Sequence, residues 1–148
     1  MLKKRYLQLL DEKRVGTRIV FPNWTSKPSA MRPHEVMQPR WLYAFRCVGF
    51  VKVGQSTDWR RRMMSLQESC PLDLSILAVR EVPNAGVNYA EAYALRHMPR
   101  PHRGEWFHAD SSDHDSIRRI IDRAARRGNA YAQHVRMDMD GDAEGNGN

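Results

Sequence analysis

Hydrophobic and polar positions along the chain change period several times. Leu2, Tyr6, Leu9 and Leu10 recur at helical spacing among Lys3, Lys4, Arg5, Lys13 and Arg14, which predicts a short basic amphipathic helix over residues 2–14. Pro22, Pro28, Pro33 and Pro39 then interrupt regular hydrogen bonding, so residues 22–40 are expected to form an extended arm. From residue 41 the period drops to two. Trp41, Tyr43, Phe45 and Cys47 alternate with Leu42, Ala44 and Arg46, and FVKVG follows Val48 and Gly49, the pattern of a β-hairpin. Thr57 or Asp58 offers a helix N-cap ahead of a stripe of Trp59, Met63 and Leu66 that ends near Cys70 and Pro71. A third strand is expected over residues 74–82, and a second helix over 87–98, ended by Pro99 and Pro101. The stretch PRPHRGEWFHAD reads as a loop, with Trp106 and Phe107 plugging the core. A third helix follows, capped by Ser111 or Ser112. Asp113 and Asp115 favour the positive end of its dipole, Ile117, Ile120, Ile121, Ala124 and Ala125 form its buried stripe, and Arg126, Arg127 and Gly128 are expected to stop it.

These elements predict a small α/β (α+β) domain: a three-stranded, mainly antiparallel sheet flanked by helices over residues 41–127. Residues 1–40 supply a basic helix and Pro-rich arm, and residues 128–148 an acidic, Gly-rich tail expected to be disordered. A length of 148 residues suits one such core and no second. The longest aliphatic run is residues 76–79, far short of the ~20 residues of a bilayer span, so no membrane partner is expected. MLKKRYLQLL lacks the apolar run of a signal peptide, which points to a reducing, cytoplasmic compartment with Cys47 and Cys70 as free thiols.

Charge adds a partner to this outline. Lys and Arg number 24 against 17 Asp and Glu, a net of +7. Residues 128–148 hold only Arg136 against Asp138, Asp140, Asp142 and Glu144, a net of −3 that leaves +10 on residues 1–127. With a pI near 9.8, nucleic acid leads among partner classes, because releasing counterions from a phosphate backbone rewards any surface that presents several cations. An incidental solvated basic surface is the plainer alternative.

The ordered set of LYAF on a first strand, VKVG on a second, FVKVGQSTDWRRRMMSLQ leading into a helix, the AEAYALRH helix and the closing RGEWF resembles the GIY-YIG nuclease superfamily. The resemblance is to its phage-type DNA-binding branch, in which Lys replaces the second motif tyrosine, and it covers about residues 41–108. It implies a GIY-YIG-like fold and Mg²⁺- or Mn²⁺-dependent hydrolysis of DNA phosphodiesters with one divalent ion. Tyr43 matches the first motif tyrosine, Lys52 stands at the second, Gly54 matches its glycine, Arg62 falls at the catalytic arginine, and Glu91 matches the metal-holding glutamate. The second tyrosine is absent, and the family's asparagine after the glutamate helix has no obvious counterpart beside RGEWF.

The same residues can be read on their own chemistry. Glu91 shares a helical face with Val87, Ala94, Leu95 and Met98. A carboxylate there needs a cation, either a Mg²⁺ ion carrying several waters or an arginine. Arg60, Arg61 and Arg62 span about 200° of helix and cannot share one role. Arg62 lies beside the apolar stripe, placed for a bidentate phosphate contact, while Arg60 and Arg61 form a solvated face that could also grip flanking phosphates. An even hairpin loop puts Tyr43 and Lys52 on one face, where the ammonium would lower the phenol from its usual pKa of about 10, or would bind phosphate as a point charge. Tyr43 as a plain core aromatic with Lys52 at its edge is the blander alternative. His97, His102, His108 and Cys70 show no zinc spacing, and no Gly-rich phosphate loop, GxSxG elbow or CxxC pair is present, so no nucleotide cofactor is expected. The expected function is a Mg²⁺-dependent DNA endonuclease, with a catalytically weak DNA-binding module on the same fold as the alternative and a protein-interaction domain as a third class.

Overall fold

The computed structural model describes residues 31–144 together with the backbone of two short strands, β1 (Arg14–Val15) and β2 (Arg18–Ile19), which pair antiparallel. The helix expected over residues 2–14 lies outside the described residues except for Arg14, which is in β1. Within the expected Pro-rich arm, residues 22–30 also lie outside them. Its C-terminal part is more regular than the prolines suggest. Pro33 starts a helical turn, α1 (Pro33–Val36), because an N1 proline gives up only an amide hydrogen that a helix start leaves unbonded. Val36 is buried, and Pro39 begins a strand.

The described domain is α+β. Strands β3 (Pro39–Cys47), β4 (Phe50–Ser56) and β5 (Ser75–Pro83) carry the expected hairpin and third strand, with helix α2 (Trp59–Glu68) between β4 and β5. Helix α3 (Asn84–His97) starts directly after Pro83, three residues earlier than expected. Strands β6 (Pro101–Arg103) and β7 (Trp106–His108) and helix α4 (His114–Glu144) complete the order. All pairings of the main sheet are antiparallel, in the order β5-β3-β4-β7-β6.

The sheet therefore has five strands, and the expectation of three is corrected. PRPHRGEWFHAD is no loop: it folds into the β6–β7 hairpin, and Val51↔Phe107 and Lys52↔Trp106 zip β7 onto β4. Gly104 takes the turn at φ +56°, a conformation a β-carbon would disfavour. Phe107 supplies the drive, burying its ring in the main cluster. Strands of three residues are too short to display alternation, which is why the sequence pattern shows only the turn.

β3 is buried on both faces. Leu42 and Ala44 join Val51, Val53, Ala78 and Val82 in the cluster that α3 and α4 cover. On the opposite face the Tyr43 and Phe45 rings stack, centroids 4.1 Å apart. At the end of this face Cys47 and Cys70 are free thiols with Sγ atoms 3.8 Å apart.

α4 corrects two further expectations. The helix starts at His114, so Asp113, whose carbonyl accepts the Ile117 amide, holds the cap position in place of Ser111 or Ser112; in the turn ahead Asp110 Oδ1 accepts the Ser112 amide, and the Asp110 amide donates to Asp113 Oδ2. The hydrogen bonds from Ser112 also hold the Asp110 carboxyl below its ordinary pKa. Nor does the helix stop at Gly128; it runs on to Glu144 through most of the stretch expected to be disordered. Gly128 is there for contact, since a Cβ would sit 2.7 Å from Val82 Cγ1 and 2.8 Å from Ala90 Cβ. Gly86 on α3 faces it, and a Cβ there would overlap the Gly128 carbonyl. Stacking of Tyr89 on Tyr131, centroids 5.1 Å apart, continues the same helix pair. A Gly86→Val substitution is expected to force the helices apart and lower stability by about 1 to 3 kcal/mol or more, read as a lower urea midpoint with unchanged slope.

Candidate functional site

The candidate site begins at the β3–β4 hairpin. Register pairs Tyr43 with Gly54 and Phe45 with Lys52, so Tyr43 and Lys52 share a face as diagonal neighbours, as an even loop requires. Tyr43 is 1% exposed, and its ring lies across Gly54, where a Cβ would come within 2.6 Å of Tyr43 Cζ. Only glycine leaves this room.

Two further elements reach the same hydroxyl. α2 starts at Asp58, whose Oδ1 accepts the Arg61 amide at 3.1 Å, the cap expected from the sequence. That start fixes the helix phase, and Arg62 brings its guanidinium into hydrogen-bonding range of the Tyr43 oxygen. α2 is shallow throughout, and Arg62 itself is exposed. Trp59, Met63 and Leu66 are half-buried, Arg61 is exposed, and Arg60, also exposed, stacks on the Trp59 ring at 4.6 Å. From α3, Glu91 lies close enough for its charge to act on Tyr43, and it is itself only 5% exposed. Of the face expected to surround it, Val87, Ala94 and Met98 are buried and Leu95 is half-buried. Tyr43, Arg62 and Glu91, expected on a strand and two different helices, thus converge.

Electrostatics at Tyr43 differ from the expected pattern. Burial pushes the phenol above its ordinary pKa, the Arg62 hydrogen bond and charge partly offset that rise, and the Glu91 carboxylate adds to it. The expected lowering by Lys52 does not occur. Lys52 Nζ is 3.4 Å from Glu105 Oε2 and 5.4 Å from the centre of the Trp106 ring, so its charge is engaged by the β6–β7 hairpin. Arg62 is the cation that faces the phenol. Glu105, expected in a turn, is a partner of Lys52, which only the pairing of β7 with β4 could reveal.

A polar chain that the sequence did not signal runs alongside. Arg40 Nη2 donates to Gln55 Oε1 at 2.9 Å, and Gln55 Nε2 donates to Asn88 Oδ1. Asn88 precedes Glu91 by three residues and so lies on the same side of α3. Arg40 Nε is buried with no hydrogen-bond partner among the described residues. An isolated Gln in a strand and an isolated Asn in a helix carry no spacing signal, so these contacts exist only in three dimensions.

No group of three or more His, Cys, Asp or Glu side chains gathers as a potential metal cage among the described residues. Glu91 with the Tyr43 oxygen nearby offers one carboxylate and hard oxygen chemistry. This fits a Mg²⁺-like ion, which keeps waters and takes substrate phosphate oxygens rather than an all-protein cage. Among the described residues no helix is long and apolar enough to cross a membrane. Comparison with protein-family models, with curated proteins and with solved structures gave no match.

Tyr43 allows a direct check. Because its folded pKa lies above the unfolded value near 10, the stability this residue contributes is fully present below pH 10 and is lost as pH rises towards the folded pKa. Melting temperature measured from pH 8 to 11 should fall less in Tyr43→Phe than in the parent. In Arg62→Met, absorbance titration at 295 nm should show one tyrosine ionising at still higher pH, since the cation that opposes the rise is gone.

Proposed function

We propose that the protein is a divalent-metal-dependent DNA endonuclease of GIY-YIG type, hydrolysing phosphodiester bonds at a site formed by Tyr43, Arg62 and Glu91. The observation that carries this reading is the convergence of the three on one hydroxyl from β3, α2 and α3. The basic surface, with a net charge of +7, supports a polyanionic substrate.

In this reading Arg62 binds the scissile phosphate through its planar fork, an interaction that strengthens as negative charge develops in the transition state. Tyr43 is a neutral phenol near pH 7, so it orients the attacking water or a phosphate oxygen by hydrogen bonding instead of removing a proton outright. Glu91 would hold a single Mg²⁺ or Mn²⁺, which when bound supplies Lewis-acid stabilisation of the leaving oxygen. Lys52, its charge matched by Glu105, stands at the margin of the site, and Arg60 and Arg61 lie on the exposed face of α2 where flanking phosphates could pass.

The second reading, a catalytically weak DNA-binding module, is favoured by the depth of Tyr43 and by its raised pKa, which make this phenol a poor proton acceptor near pH 7. Glu91→Gln separates the two. A nuclease losing several kcal/mol of metal-derived stabilisation should nick supercoiled plasmid about a thousandfold more slowly in millimolar Mg²⁺, while binding duplex DNA in EDTA as well as the parent does. A parent protein that binds but never nicks in Mg²⁺ or Mn²⁺ selects the binding module.

A further inference from the structure

α4 is packed along one side and charged along another. Ile117, Ile121, Ala124 and Ala125 are buried, whereas Arg119, Arg123 and Arg126 are exposed at i, i+4 and i+7, a single stripe. The stripe borders a groove of about 520 Å³ between α4 and the edge strand β5, whose other charged lining groups are Arg80, Glu81 and Asp122. Asp122 lies within the stripe and would be expected to quench it. Instead its Oδ1 accepts from Arg80 Nε at 2.6 Å, and Arg80 is further anchored by donating to the Val79 carbonyl at 2.8 Å. The strand therefore spends its own arginine on the helix carboxylate. Three outward guanidiniums remain, with Glu81 as the opposing charge on the groove wall.

We propose that this groove is a second, sequence-independent binding site for the phosphate backbone of duplex DNA, held by Arg119, Arg123 and Arg126. Seven residues of helix span about 10 Å, and one strand of a duplex advances about 3.4 Å per phosphate. The stripe thus matches a run of about three phosphates. Exposed guanidiniums with solvent between them suit contacts to a moving, hydrated backbone, where the gain is release of counterions, better than they suit one small buried anion. Tyr43, Arg62 and Glu91 are not among the residues that line the groove. The groove therefore adds a contact outside the Tyr43 cluster, of the kind that holds a long substrate independently of the chemistry. The choice of DNA as the polyanion rests on the proposed nuclease reading.

The test uses the full chain in EDTA, so that cleavage does not enter. Binding of a fluorescein-labelled 20-base-pair duplex is followed by anisotropy across a KCl series, for the parent and for Arg119→Gln/Arg123→Gln/Arg126→Gln. The triple variant should retain the parent's melting temperature, because the three side chains are exposed, and its plot of log affinity against log salt should be shallower by about 2 to 3 units. Arg123→Gln alone should make it shallower by about 1, which serves as the check if the triple variant melts early. A triple variant with the parent's slope and affinity overturns the groove. So does a triple variant that keeps duplex binding and loses binding of poly-glutamate, which would assign the stripe to an acidic polypeptide. Plasmid nicking in Mg²⁺, run in parallel on the parent, separates the two proposals. Slope loss without nicking leaves the groove standing and removes the nuclease, whereas nicking with no slope loss does the reverse. A parent that binds no duplex overturns both.

Discussion

Among the described residues, α3 and α4 meet at a glycine on a glycine. Where α3 crosses α4, Gly86 meets the Gly128 backbone, and Gly128 in turn leaves room for Val82 of β5 and Ala90 of α3. No other residue type permits backbones to approach so far, and the approach sets both the height of α3 over the sheet and the run of α4 along β5. Glu91 stands five residues beyond Gly86, and Arg126 and Arg123 stand two and five before Gly128. The positions of the candidate site and of the arginine groove are thus both referred to one contact. The propensity cost of Gly128 in a helix interior, about 1 kcal/mol, is offset by the packing that it makes possible.

A second constraint is the double burial of β3. Its even positions feed the main cluster, and its odd positions bury Tyr43 and Phe45 on the other side. Burial on that second face is what raises the Tyr43 pKa, and the polar groups that reach the hydroxyl pull against one another: Arg62 favours the phenolate and Glu91 opposes it. The outcome is a neutral hydroxyl that is hydrogen-bonded to a cation and feels the charge of an anion. Such a group is an orienting hydrogen-bond partner more than a proton acceptor, and the balance would shift whenever an anion engaged Arg62 or a cation engaged Glu91.

Charge is also distributed by the fold and not merely by composition. Lys52 and Arg80, both strand residues, are matched with carboxylates from later elements, Glu105 and Asp122. Helix residues Arg60, Arg119, Arg123 and Arg126 remain exposed. Lys52 and Arg80 are thus drawn into pairing, while these four helix arginines face outward. Partly exposed pairs of this kind add little to stability. Their larger effect is to decide which guanidiniums are left to meet an external anion.

What the sequence determined by itself is local. Period-two alternation in WLYAFRC and FVKVG, the Asp58 cap and the stripe of Ile117, Ile121 and Ala124 each arise within one element, where side-chain direction follows from backbone period, and each is where the pattern puts it. The diagonal relation of Tyr43 and Lys52 was legible for the same reason, since a hairpin register is a local property. Tertiary structure decided the rest. The fourth and fifth strands exist because Phe107 finds a place beside Val51, and a three-residue strand has no period to read. Gly128 reads as a helix stop in isolation and becomes a helix contact once Gly86 faces it. Lys52 was expected to tune Tyr43 because it is near in register, but Glu105, more than fifty residues on, claims its charge, and Arg62 takes the place beside the phenol. Short-range pattern fixes which way a side chain points. Which charge it meets depends on chain crossings that bring distant residues together, and pairing there follows distance and burial, neither of which the order of residues displays.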